Sequence, residues 1–246
     1  MSTLRVCALY PDLMNIYADR GNMVMLQRRC EWRGIGFSYT ASGPGDSFDP
    51  AEHDLLYMGG GQDRDQRIVA ADLLQTKRQA LAEAVEDGAV LLAVCGGYQL
   101  LGHSYQLGNE RIEGLGLADL ETVREPGARL IGNVEIEVDL GGGPRRLAGF
   151  ENHGGRTYLG PDATPLGRVI RGFGNNGRDE QEGVRFGNSV GTYLHGPLLP
   201  KNAWLADRLI QLALARREGS EPALEPLDDS LEAAAHESAH RAAMRG

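Results

Sequence analysis

The run Leu91-Leu92-Ala93-Val94-Cys95-Gly96-Gly97-Tyr98-Gln99-Leu100-Leu101-Gly102 sets a cysteine between an apolar segment and two glycines. A thiolate held there is a nucleophile for an acyl carbon if the backbone presents it. A tight strand-to-helix turn does so. It pushes the side chain out at the carboxyl end of a sheet, and its crowded backbone demands small residues two before and two after the nucleophile. Ala93 and Gly97 meet that demand, Ala93 standing where glycine is often found. A helix N-terminus behind Cys95 would also stabilise the thiolate. The competing reading is a buried thiol before a glycine turn, and the strand and helix on either side argue against it. Cys7 falls in a strand pattern and Cys30 in a helix pattern, so both are assigned to packing.

A thiol nucleophile needs a base, and six histidines compete: His53, His103, His153, His195, His236 and His240. His53 reads as a solvated loop residue, His103 follows a glycine that ends a helix, and His236 and His240 lie near the C-terminus. His153 (Gly149-Phe150-Glu151-Asn152-His153-Gly154-Gly155) and His195 (Gly191-Thr192-Tyr193-Leu194-His195-Gly196-Pro197) remain. His195 follows a β-like run and precedes a Gly-Pro turn, which aims it from a strand end, and the pattern slightly prefers it. A third piece is Met58-Gly59-Gly60-Gly61-Gln62-Asp63. Glycines after a strand let backbone N–H groups converge on an anion, as an oxyanion hole or a phosphate nest. The phosphate reading is the weaker, because no Gly-Lys-Ser/Thr follows.

These residues need a scaffold. Leu4–Tyr10, Ile35–Thr40, Asp54–Met58 and Ala89–Val94 read as strands. Gly21–Arg33 reads as a helix with Met25, Leu26, Arg29 and Trp32 on one face, and Arg64–Asp87 as a long helix closed at Gly88. Tyr98–Gly102 begins another. Strands alternating with helices imply a doubly wound parallel sheet. Beyond Gly108, β-like stretches at 130–140, 149–152, 184–186 and 190–193 suggest antiparallel hairpins completing the same domain. Pro200–Arg217 reads as a last helix. Residues 218–246 form an acidic, Ala-rich tail: a solvated arm, a marginal helix over 227–244, or a segment that docks a partner.

Composition narrows the function. The chain has 246 residues, 41% hydrophobic and 24% charged, with net charge −9. That suits one α/β domain over residues 1–217 with its tail. It argues against a nucleic-acid or lipid footprint. No apolar run approaches a membrane span, and the N-terminus lacks the apolar stretch of a signal peptide. Three cysteines without CxxC spacing make a disulfide framework and a zinc knuckle poor readings, and the expectation is a reduced, cytoplasmic protein with no metal site of its own.

Strand-Gly-Gly-Gly, strand-Cys-Gly-Gly and Tyr-Leu-His-Gly, the last two 100 residues apart from cysteine to histidine, together resemble the class I (triad) glutamine amidotransferases, in the cobyric-acid-synthase-like branch. Within it the segments Tyr10-Pro11-Asp12-Leu13-Met14-Asn15-Ile16-Tyr17 and Cys30-Glu31-Trp32-Arg33-Gly34 are most similar to the glutaminase subunits of lipid II isoglutaminyl synthases. The resemblance spans roughly residues 4 to 215 and implies a flavodoxin-like mixed, mostly parallel sheet flanked by helices.

It also implies glutamine hydrolysis. Cys95 would attack the side-chain amide of L-glutamine, and N–H groups of Gly60 or Gly61 with Gly96 would hold the oxyanion. His195 would protonate departing ammonia and then activate water. By the same resemblance Arg129 would bind the α-carboxylate and Gln99 would help orient substrate. One departure stands out. Many triad amidotransferases carry a glutamate two residues after the histidine; here that residue is Pro197, and the next acids downstream are Asp207 and Glu218. The third member would then come from a partner subunit, or the enzyme would run as a Cys-His dyad. The implied partner is a Mur-ligase-like synthetase subunit (MurT), which would hold ATP and Mg and reach lipid II in a heterodimer. The alternatives are an amidotransferase subunit of another pathway, such as a cobalamin-type amidation, a catalytically inactive binding module on the same fold, and a cysteine peptidase of related fold.

Overall fold

The computed structural model describes residues 2–16, 20–107 and 109–245. Leu91 and Leu92 lie wholly inside, each contributing about 1.5–3 kcal/mol by burial. They belong to β4 (Val90–Val94), buried along its whole length because sheet neighbours flank it and helices cover it. Before it come β1 (Thr3–Leu9), β2 (Gly36–Ser42) and β3 (Leu55–Met58), with α1 (Arg20–Glu31) after β1, and α2 (Asp63–Asp72) and α3 (Arg78–Glu86) after β3. After β4 come α4 (Gly96–Leu100), β5 (Ser104–Leu107), β6 (Glu110–Glu113), β7 (Leu120–Arg124), β8 (Leu130–Val138), β9 (Arg145–His153) and β10 (Gly155–Leu159). β11 (Gly167–Arg171), β12 (Gln181–Glu182), β13 (Val184–Phe186) and β14 (Ser189–Thr192) follow, then α5 (Leu198–Lys201), α6 (Ala203–Glu218) and α7 (Ser230–Arg245).

The central sheet has the order β13-β14-β4-β3-β1-β2. Every pairing in it is parallel except β13 with β14. α6 packs on β1 and β4 and against α1, while α4 packs on β4 and β14 and against α2. This is the doubly wound, flavodoxin-like order, in which functional groups gather beyond the carboxyl ends of the strands.

The hairpin region is richer than its sequence texture suggests. It forms two further four-stranded sheets, β10-β7-β5-β6 and β12-β11-β8-β9, while β14 inserts into the central sheet beside β4. The long helix expected over 64–87 is interrupted by a π turn at Leu73–Lys77. That turn aims Lys77 inward, where Nζ donates to Asp72 Oδ2 (2.7 Å) and the Gly43 carbonyl (2.9 Å). The helix expected to begin at Tyr98 starts at Gly96 instead and lasts five residues. The helix expected over 200–217 starts at Leu198 and breaks at Asn202. The Asn202 side chain accepts from Ala148 N–H (3.0 Å) and donates to the Ala148 and Leu198 carbonyls, competing with helical continuation. Trp32, expected on the apolar face of a helix reaching Arg33, falls in the turn just after α1 ends at Glu31 and is exposed. His53 is buried rather than solvated, its ring bonded to Thr40 Oγ1 (2.8 Å) and the Asp49 carbonyl (2.9 Å).

The tail is ordered as α7 and lies on α5, β8 and β9. His236 and His240 fasten it: Nδ1 of the first meets the Lys201 carbonyl (2.9 Å), and Nδ1 of the second meets Glu135 Oε2 (2.7 Å).

Candidate active site

Three neighbouring strands deliver the three chemical pieces. β3 ends in Gly59-Gly60-Gly61, β4 in Cys95, and β14 runs on to His195 three residues after Thr192. Cys95 itself has φ +51° and ψ −103°, a conformation that costs an L-residue about 1–3 kcal/mol and persists only when its surroundings enforce it. They do. Cys95 N–H donates to the Thr192 carbonyl (2.8 Å), its own carbonyl accepts from Gln99 N–H (3.0 Å), and Gly97 N–H donates to the Gly59 carbonyl (3.1 Å).

The two glycines are required by contact. A Cβ on Gly97 would stand 2.6 Å from the Met58 carbonyl oxygen, and one on Gly96 would overlap Gln66 Nε2 and come within 2.8 Å of Gly61 N. The elbow is therefore pressed against the glycine loop, with Gly61 N beside the residue following the nucleophile. As the first residue of α4, Gly96 has no helical acceptor for its N–H. The five-residue length of α4 makes these local N–H groups, rather than a long helix dipole, the electropositive feature at the thiol.

His195 is fully buried, and its backbone is pinned by paired bonds to Phe150 of β9 (His195 N–H to Phe150 carbonyl 2.8 Å, the reverse 3.2 Å). A Cβ on Gly60 would lie 3.3 Å from His195 Cε1, so the imidazole stands directly over the glycine loop.

A cleft of about 560 Å³ opens over this junction, lined among others by Gly61, Gln66, Cys95, Gln99, Arg129 and His153. The CobB/CobQ-like glutamine amidotransferase domain profile matches residues 5–203. The chain belongs to that amidotransferase family. The GatD subunit of the glutamine-hydrolyzing lipid II isoglutaminyl synthase of Streptococcus pneumoniae is 40% identical over 93% of this chain and 87% of its own length. Its Staphylococcus aureus counterpart is 41% identical over 88% and 87%. A probable cobyric acid synthase of Methanothermobacter thermautotrophicus is 32% identical over 77% of this chain but only 38% of its own length. In fold, the chain is similar to PurLQS of Thermotoga maritima, with a TM-score of 0.59 at 22% identity, covering 87% of this chain and 98% of that one.

In this amidotransferase the candidates distribute as follows. Cys95, Gln99, Gly61 and Arg129 share the cleft, with Gly60, Gly96 and His195 packed immediately around the elbow. Arg129 is exposed at the rim, where Nε donates to Asn152 Oδ1 and Nη2 to the Asn152 carbonyl, both at 2.7 Å. Gln99 is buried with its amide engaged: Oε1 accepts from Gln66 Nε2 (2.9 Å) and Nε2 donates to Tyr193 Oη (3.1 Å). Gln66 Nε2 also donates to the Gly61 carbonyl (3.2 Å), so Gln99 ties the glycine loop to the strand that carries His195.

Two buried carboxylates escaped the sequence reading, which looked for an acid only downstream of His195. Glu151 accepts from Phe173 N–H (2.7 Å) and Gly174 N–H (3.0 Å). Glu182 accepts from Tyr193 N–H (2.7 Å) and from Thr192 Oγ1 (3.1 Å to each oxygen). It thereby grips the segment whose Thr192 carbonyl holds Cys95 N–H. Burial pushes the Glu182 carboxyl up to about 8; the Glu151 charge adds to the rise, while the hydrogen bonds and His195 oppose it. The Glu-Asn-His order of residues 151–153 was the one available signal; nothing local marks Glu182.

Glu182 carries a stability prediction. Between its ordinary value of 4.5 and about 8, the native state keeps a proton that the unfolded chain has lost. Its contribution to stability therefore falls as pH rises through that window and levels off above it. Glu182→Gln, an isostere of the protonated acid, is expected to gain Tm relative to wild type from pH 5 to pH 8.5 in paired calorimetric scans. A flat difference would mean the carboxyl is ionised in the fold.

Among the described residues no group of three or more His, Cys, Asp or Glu could hold a metal ion, and no helix is long and apolar enough to cross a membrane.

Proposed function

We propose that this chain is the glutaminase subunit of a lipid II isoglutaminyl synthase. The observation that carries the chemistry is the convergence of Cys95, His195 and the Gly59–Gly61 loop on adjacent strand ends, and the carrier for the pathway is near-full-length similarity to the two GatD subunits. The Cys95 thiolate attacks the side-chain amide carbon of L-glutamine, and the tetrahedral oxyanion sits against the N–H groups of Gly60 or Gly61 and Gly96. His195 gives a proton to the departing ammonia, then takes one from water, whose hydroxide releases glutamate and restores the thiol. Arg129 holds the α-carboxylate by its fixed charge, and Gln99 keeps the glycine loop and the His195 strand in register.

The ammonia passes to a Mur-ligase-like synthetase subunit of the MurT kind. That partner binds ATP and Mg, activates the α-carboxyl of D-isoglutamate in the lipid II stem peptide, and amidates it in the cytoplasm. The α7 segment is available to dock it. A partner carboxylate completing the triad requires the isolated chain to turn over more slowly than the complex; full turnover by this chain alone excludes that version.

The test is isotope transfer in the two-subunit complex. L-glutamine labelled with ¹⁵N in its amide, ATP and lipid II are expected to give a stem peptide whose new carboxamide carries the label. An unlabelled carboxamide, or no dependence on glutamine, overturns the reading, and amidation of a corrinoid carboxylate instead would favour the cobalamin-type alternative. Arg129→Ala is expected to raise KM for glutamine about tenfold or more with a smaller change in kcat, as loss of a charged hydrogen bond in substrate binding demands.

A further inference from the structure

His153 lines the same cleft as Cys95 and has no part in the chemistry above. It is 1% exposed, and its ring lies flat on Tyr193, with centroids 3.5 Å apart and planes 6° from parallel. Its Nδ1 is 2.8 Å from the Gly155 carbonyl, which can only accept, so Nδ1 carries the hydrogen. Burial holds this histidine below its ordinary value, which favours the neutral ring and leaves Nε2 as a bare lone pair. Among the described residues Nε2 makes no hydrogen bond. The nearest polar atom recorded for it is Glu151 Oε2 at 3.6 Å, itself an acceptor. A second buried acceptor of the same cleft, Gln66 Oε1, is also without a partner among the described residues, its own Nε2 being committed to Gly61 and Gln99.

Acceptors buried without donors are costly unless a ligand supplies the donors. A neutral imidazole lone pair beside a carboxylate suits a compact cation with several N–H groups. Arg129, the carboxylate-binding candidate, is anchored by two bonds to Asn152, the residue immediately before His153. Sites for a negative and a positive group thus stand next to each other at the cleft wall, as they do on the α-carbon of an amino acid. We propose that His153 Nε2, backed by Glu151, is the receptor for the α-ammonium of the substrate amino acid. The inference rests on the glutaminase reading and assigns His153 to substrate recognition rather than to proton transfer at the scissile amide.

The test compares two alkylating agents on the full chain, with peptide mapping at Cys95. 6-Diazo-5-oxo-L-norleucine carries the α-ammonium and α-carboxylate of glutamine; iodoacetamide carries neither. His153→Phe keeps a ring on Tyr193 but removes the lone pair. It is expected to slow the diazoketone about tenfold or more, the size of a lost hydrogen bond to a charged group, while iodoacetamide labelling stays within about twofold. His153→Gln, which can present an amide oxygen, is expected to fall between the two. Equal slowing of both reagents, or no slowing of the diazoketone in either variant, overturns the subsite. A wild-type Cys95 that iodoacetamide labels and the diazoketone leaves untouched removes the glutaminase reading, and this subsite with it.

Discussion

Cys95→Ala is expected to lower glutamate release at least about 10³-fold, the effect of deleting a covalent nucleophile, and His195→Ala to fall comparably because the two act as a unit. The elbow geometry lets a second variant separate the chemistry from the fold. At φ +51° alanine carries the same backbone strain as cysteine, whereas glycine does not. Cys95→Gly, equally inactive, should therefore be more stable than Cys95→Ala by about 1 kcal/mol in urea denaturation. The surrounding bonds, Cys95 N–H to Thr192 and Gly97 N–H to Gly59, are backbone bonds that both variants keep. Near-wild-type glutamate release from Cys95→Ala would remove the catalytic reading, and a glycine variant less stable than the alanine one would remove the strained elbow. Strain whose relief would add stability, yet which survives at the nucleophile, is the pattern expected where presentation of a side chain is being maintained.

The parts of this molecule that could be read in advance are those whose signal is local. β4 is an unbroken apolar run, and a strand buried on both faces has that composition. The cysteine and its glycines follow in the same twelve residues, so the elbow is legible where it stands. The glycine loop after β3 and the histidine after β14 are also local patterns, and the doubly wound order explains why strand ends far apart in sequence meet. The two outer sheets were largely invisible. β5, β6, β10 and β12 are short or largely polar, their pairing is long-range, and alternation over two to five residues carries little information. Glu182 illustrates the limit most clearly. It sits in a two-residue strand, and only the fold brings it to Thr192 and Tyr193. Gln99 lines the cleft as the resemblance implies for a residue that helps orient substrate, but the engagement of its amide by Gln66 and Tyr193 is a pairing that a sequence cannot display.

Arg29→Met is expected to cost about 2–4 kcal/mol of folding stability, somewhat below the range for breaking a fully buried ion pair because the two carboxylates left behind keep access to water. In a chain of 246 residues that is a Tm loss on the order of 10 °C. The Arg29 side chain is wholly buried, although its position on α1 reads as one of an apolar set. Its guanidinium binds Asp207 of α6 through Nε and Nη2 (2.5 and 2.6 Å) and Asp229, just before α7, through Nη1 and Nη2 (2.7 and 3.0 Å). Arg33 also holds Asp207 (2.8 Å), so the loss falls unevenly: Asp207 keeps one cation, while the bond to the tail is broken outright. Methionine fills the volume but leaves two carboxylates facing an apolar group. A double-mutant cycle of Arg29→Met with Asp229→Asn is expected to give a coupling energy above about 1 kcal/mol, since the two residues share one hydrogen-bonded network. Additive effects would mean that α7 is held only by its contacts with α5, β8 and β9. Coupling would instead make residues 229–245 part of the folded amidotransferase, fastened at their start by a buried arginine of α1.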